Sequence, residues 1–163
     1  MSRGTRKSVD TTRKERKPRQ KKAGPKAEGP RIGVFVCQCG SNIASVIDVD
    51  ALTKYAKTLP NVAYAENMNY PCSRQGEDKI IDVIKKNKLD RIVVAGCSPR
   101  IYEPTFQSCV SRAELNPWLF EMANIREFAS YCHRATPEEA TEKAKDTLRM
   151  AAAKARTLEP LND

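Results

Sequence analysis

Three short β-branched runs, each followed by a stretch with helical spacing, constrain this chain more than any other feature. Ile32-Gly33-Val34-Phe35-Val36-Cys37, Val62 to Met68 and Arg91-Ile92-Val93-Val94-Ala95-Gly96-Cys97 have the apolar, β-branched character of strands. The third is almost continuously apolar, as a central strand covered on both faces requires. Between them, Val49, Leu52, Ala56 and Leu59 recur at helical spacing after the N-cap residue Asp48, and Pro60 ends the pattern. Gly76 to Lys88 sets Ile80, Ile81 and Ile84 on one helical face. Pro104 to Glu114 reads as a helix with Phe106, Cys109, Val110 and Ala113 inward, and Trp118 to Ala123 as a fourth strand. Strands alternating with helices predict βαβ units, hence an α/β domain over 31–163 with a mostly parallel sheet of about four strands. The chain closes with a long helix. Thr136-Pro137-Glu138-Glu139 has the pattern of a capping box with proline at the first helical position. Ala140, Ala144, Leu148, Ala151, Ala155 and Leu158 then form a narrow apolar seam.

The formal charge is +9, and it is unevenly spread. Residues 1–30 carry eleven Lys or Arg against three Asp or Glu, and their only large aliphatic residue besides Met1 is Val9. Such a segment cannot bury enough apolar surface to offset the entropy of ordering it, so a disordered basic arm is expected over 1–30. It is a solubilising tail, or a contact for an acidic surface or nucleic acid. The remaining chain is close to neutral, which argues against a nucleic-acid-binding body. No apolar run is long enough to span a membrane, and no apolar segment follows the charged start as a secretory signal requires. A cytoplasmic location is therefore expected. In a reducing compartment the six cysteines are metal ligands or thiols rather than structural disulfides.

Four of them fall at predicted strand ends. Cys37 and Cys39 lie at the end of the first strand, Cys72 in the loop after the second, and Cys97 at the end of the third. In an open parallel sheet the strand C-termini share one edge, where ligands bind, so these four should converge. Soft thiolates suit zinc, Cu(I) or an iron–sulfur cluster. One C-x-C pair with two isolated cysteines is unlike the paired knuckles of structural zinc and closer to a cluster, whose irons accept ligands from separate loops. A zinc site, a redox thiol or disulfide pair and ordinary buried cysteines remain alternatives. Gly40, Ser41, Ser73, Gly76, Gly96 and Ser98 would let backbone N–H groups approach cluster sulfides.

Cys109 shares a helical face with Phe106 and Val110, the pattern of a buried small hydrophobe. Cys132 adjoins the only histidine, His133, but neighbours in sequence point apart, so a capping or interdomain contact fits the histidine better than a catalytic dyad. Cys97-Ser98-Pro99-Arg100 has the look of an anion site at a helix start, yet Glu103 stands where a phosphatase loop needs arginine. No dinucleotide-binding or phosphate-binding glycine fingerprint is present.

These stretches together carry a family pattern. Val34-Phe35-Val36-Cys37-Gln38-Cys39-Gly40-Ser41-Asn42-Ile43, Tyr70-Pro71-Cys72-Ser73, Val93 to Arg100, Glu103 to Phe106, Leu115 to Glu127 and Ala140 to Leu161 resemble the N-terminal domain of the heterodisulfide reductase A-type polypeptide. The resemblance covers residues 31–161. It implies an iron–sulfur flavoprotein system of anaerobic energy metabolism, in which this polypeptide carries FAD and several [4Fe–4S] clusters. It supports a cluster on Cys37, Cys39, Cys72 and Cys97. It also implies electron transfer with other iron–sulfur subunits of an oxidoreductase complex. Members of the family continue past Leu-Glu-Pro-Leu into a flavin domain, whereas this sequence stops at Asp163 and lacks the C-x2-C-x2-C run of ferredoxin-like domains. FAD is therefore expected only through a flavin-containing partner. A non-catalytic assembly or regulatory module, binding zinc or no metal, is the alternative.

Overall fold

The computed structural model describes residues 29–162. The basic arm expected over 1–30 lies outside the described residues except for Gly29 and Pro30. Strands β1 (Ile32–Cys37), β2 (Val62–Met68), β3 (Arg91–Gly96) and β4 (Phe120–Asn124) form one sheet in the order β2-β1-β3-β4, and all pairs are parallel. Helices α1 (Val49–Ala56), α2 (Arg74–Asn87) and α3 (Pro99–Arg112) make the crossovers, and α4 (Pro137–Ala155) follows β4. Two π-helical turns, Gly40–Ala44 and Arg126–Tyr131, follow β1 and β4.

The chirality of parallel crossovers explains the layering. The step from β1 to β2 runs one way along the sheet, while β2 to β3 and β3 to β4 run the other. Right-handed connections therefore put α1 on one face and α2 and α3 on the opposite face. Alternation along each strand fills both layers. Val34, Val36, Val93, Ala95 and Ala123 meet Leu52, Ala56, Ala144 and Leu148, whereas Phe35, Ile92, Val94, Phe120 and Met122 meet Ile80, Ile84, Phe106 and Val110. α4 completes the α1 face. Its Ala140, Ala144, Leu148, Ala151 and Ala155 are all buried, so the alanine seam packs on the domain's own sheet.

Several boundaries and one cap differ from the sequence expectation: α1 already ends at Ala56 and α2 starts at Arg74 rather than Gly76. α3 starts at Pro99, not Pro104: two prolines compete for the first helical position, and Pro99 takes it while Pro104 sits exposed inside the helix. β4 starts at Phe120 rather than Trp118. The Thr136 hydroxyl does not cap the backbone of α4; it donates to the Glu139 carboxylate at 3.0 Å. The Asp48 cap forms, its carboxylate accepting from the Ala51 N–H at 2.8 Å.

Candidate metal centre

The order in which strands are added reverses at β1 and β3, and the crevice outside their C-terminal ends is the switch point where such sheets bind ligands. Cys37 is the last residue of β1 and Cys97 follows β3 directly. Cys39 lies two residues beyond β1, and Cys72 lies in the loop after β2. Cys37 and Cys97 are buried, whereas Cys39 and Cys72 are half-buried.

The thiols sense one another. Burial pushes the Cys37 thiol far up, and the charge of the neighbouring Cys39 adds to the effect. Burial pushes Cys97 up to about 11, with Arg126 opposing and Cys39, Glu127 and Cys72 reinforcing. The phenol of Tyr102 in α3 is raised, chiefly by the charge of Cys72 and then by burial. The fold thus places Cys37 and Cys97 at the C-terminal ends of the two central strands, with Cys39 and Cys72 in the loops that follow β1 and β2. Among the described residues no three His, Cys, Asp or Glu side chains are gathered closely enough to hold one metal ion.

Local structure sets each loop. Ser73 caps α2, its hydroxyl accepting from the Gly76 N–H at 3.1 Å, so α2 begins immediately after Cys72. α3 begins immediately after Cys97 with Ser98 at its N-cap. Two helix N-termini thus follow two of the four cysteines, and their positive ends favour negative charge there. The turn at Gly40–Ala44 is pinned to the turn after β4, where the Ser130 hydroxyl donates to the Asn42 carbonyl at 2.5 Å and the Tyr131 hydroxyl lies 3.2 Å from Asn42 Oδ1.

Cys109 stays out of this group, buried against Phe106 and Val110 with its thiol pushed up to about 12, mainly by burial and then by Glu77. Cys132 is exposed and donates to the Glu127 carbonyl at 3.0 Å, and His133 Nδ1 lies 3.4 Å from Glu139 rather than beside the thiol. Arg126, Glu127 and Tyr102 are the neighbours that sequence reasoning missed. Only the β3–β4 register and the early start of α3 bring them to the cysteines.

The donor set fits a cationic multi-metal group. Burial opposes ionisation of Cys37 and Cys97, the two thiols at the strand ends. Bound metal would supply the missing positive charge.

The architecture is a doubly wound parallel α/β domain whose switch-point crevice is lined by cysteines, with the strand order that opens flavodoxin-type sheets. No protein-family model matches the chain. Individual proteins do. The chain is 58% identical over 134 residues to the second CoB–CoM heterodisulfide reductase iron-sulfur A-type polypeptide of Methanopyrus kandleri, a match taking in 82% of this chain and 20% of that protein. It is 57% identical over 134 residues to the A-type polypeptide of the H(2):CoB-CoM heterodisulfide,ferredoxin reductase of Methanothermobacter marburgensis, again 82% of this chain and 20% of the relative. With the A-type polypeptide of the ferredoxin:CoB-CoM heterodisulfide reductase of Methanosarcina mazei it shares 52% over 132 residues, or 81% and 17% of the two chains. The chain is homologous to a segment of the heterodisulfide reductase A-type polypeptide and spans about a fifth of these relatives' length.

Proposed function

We propose that this domain is an electron-transfer component of a heterodisulfide-reductase-like complex, holding one [4Fe–4S] cluster on Cys37, Cys39, Cys72 and Cys97. The observation that supports the reading is the placement of Cys37 and Cys97 at the C-terminal ends of the two strands flanking the switch point, with Cys39 and Cys72 in the adjoining loops. The Methanopyrus relative, named as an iron-sulfur component, supports it. When bound, the cluster supplies one-electron storage at a potential set by its surroundings. The chain's own residues do the rest. Cys37 and Cys97 anchor from the buried ends of the two central strands, and Cys39 and Cys72 close the site from half-exposed loops. Tyr102 bears on Cys72, and the starts of α2 and α3 direct their positive ends at the thiolates. Electrons pass to or from a flavin-containing subunit, with other iron–sulfur subunits completing the complex.

Anaerobic purification with iron and sulfide analysis tests the reading. The expected result is about four iron and four sulfide per chain with broad visible absorption. Cys39→Ser, Cys72→Ser and Cys97→Ser should each lose most of the iron, and Cys109→Ser should keep it. A colourless protein containing zinc or no metal would support the assembly-module alternative instead. Full iron retention in the Cys72 and Cys97 variants would end the assignment.

A further inference from the structure

The turn after β4 sets a charge pair against the cysteine crevice. Gly96 pairs with Asn124, and the Ile125 N–H donates to the Gly96 carbonyl at 2.9 Å. Cys97 is the next residue after Gly96, so the turn that opens at Arg126 lies beside it. The guanidinium is fixed in place: Nε and Nη2 donate to Glu127 Oε1 at 3.0 and 2.7 Å, and Cζ lies 5.8 Å from the Tyr131 ring centre. Only 18% of the Arg126 side chain and 28% of the Glu127 side chain is exposed. The Glu127 backbone is fixed as well, its N–H donating to Asn124 Oδ1 at 3.1 Å. Glu127 Oε2 is buried without a hydrogen-bond partner, so the carboxylate is not fully neutralised by its arginine.

We propose that Arg126 and Glu127 are a built-in charge pair that sets the reduction potential of the group bound at the four cysteines. This rests on the cluster reading above. The physical reason is direct. Reduction adds one electron to an already anionic site, so a nearby fixed cation stabilises the reduced form and a nearby anion disfavours it. Partial burial keeps solvent and salt from screening either charge. The Gly96↔Asn124 register and the Ile125–Gly96 hydrogen bond place both residues at the strand end that carries Cys97.

The test is an anaerobic redox titration of the cluster-loaded full chain, followed by electron paramagnetic resonance of the reduced form. Arg126→Gln should lower the constant for one-electron reduction about tenfold, or about 59 mV. Glu127→Gln should move it the opposite way, and Arg126→Lys should stay near the parent value. Shifts of the same sign in both Gln variants, or none in cluster-loaded protein, would overturn the charge-pair inference while leaving the cluster reading intact. A parent chain that takes up no iron would overturn the cluster reading, and the inference with it.

Discussion

Gly76 shows how one missing side chain shapes the loop that carries Cys72. A Cβ built there would lie 2.5 Å from the Tyr70 carbonyl oxygen and 2.8 Å from Pro71 Cα, both backbone atoms that cannot swing away. Tyr70 itself takes a left-handed conformation, φ 47°. The loop bearing Cys72 is therefore folded onto the first turn of α2 through the space that glycine leaves. Gly76→Ala should cost about 1–3 kcal/mol, as overpacking does, and should lower iron content by displacing Cys72. Urea denaturation and metal analysis check both. Gly40→Ala is the control: its Cβ would meet nothing within 4 Å, so both readouts should stay unchanged. The thiols also rank by environment. In metal-free folded protein, exposed Cys132 should be alkylated at neutral pH well before Cys109, whose thiol is fully buried and pushed up to about 12. Peptide mass spectrometry after timed labelling reads the order, and early modification of Cys109 would show that the α2–α3 layer opens readily.

At the scale of elements, the closing helix holds the α1 face together. Leu148 is fully buried in α4, in the layer that includes Val34, Val93 and Ala123. Leu148→Ala should cost about 2–5 kcal/mol by the lost transfer energy and the cavity left behind, measured as a lower denaturation midpoint. The strands were legible in the sequence because β-branched runs such as Val93-Val94 have few other places to go. Their ends were legible too, and with them the placement of Cys37 and Cys97 at strand C-termini and of Cys39 and Cys72 in the loops beyond, since parallel topology alone brings strand C-termini to one edge. The start of α3 was not, because local preference cannot decide between Pro99 and Pro104 until the strand before them is placed. The capping box was half legible: Thr136 and Glu139 do pair, but side chain to side chain. Arg126 and Glu127 carry no local mark of their role. Only the register Gly96↔Asn124, a contact between distant parts of the chain, sets them beside Cys97.

For the whole molecule, the decisive relation is between the cysteine edge and the two ends of the described chain. α4 has 19 residues and is therefore about 28 Å long. It begins just beyond the π turn at the cysteine edge and runs to the opposite edge of the sheet. There Arg91 Nη2 donates to the Leu158 carbonyl at 2.9 Å and Asn116 Nδ2 to the Leu161 carbonyl at 2.8 Å. Arg31 enters at that same far edge, its N–H donating to Asp90 at 2.8 Å. Among the described residues no helix is long and apolar enough to cross a membrane. The family resemblance has relatives continuing past Leu158–Leu161 into a flavin domain, yet that segment lies far from the thiols. A partner held only there would be badly placed for electron exchange. The cysteine edge instead exposes Tyr70, Ile101, Phe128 and Tyr131 in the loops and helix start around the crevice. Deleting 157–163 should therefore lower stability by about 1–3 kcal/mol, the worth of two hydrogen bonds, while iron content and cluster potential stay put. Phe128→Ser should do the reverse: little change in stability, since the ring is 62% exposed, but slower reduction of the cluster by a flavoprotein recovered from anoxic extract. Stopped-flow absorbance of both variants against the parent chain decides the matter. Slower exchange after the tail deletion, with Phe128→Ser unaffected, would mean that electrons enter from the far edge.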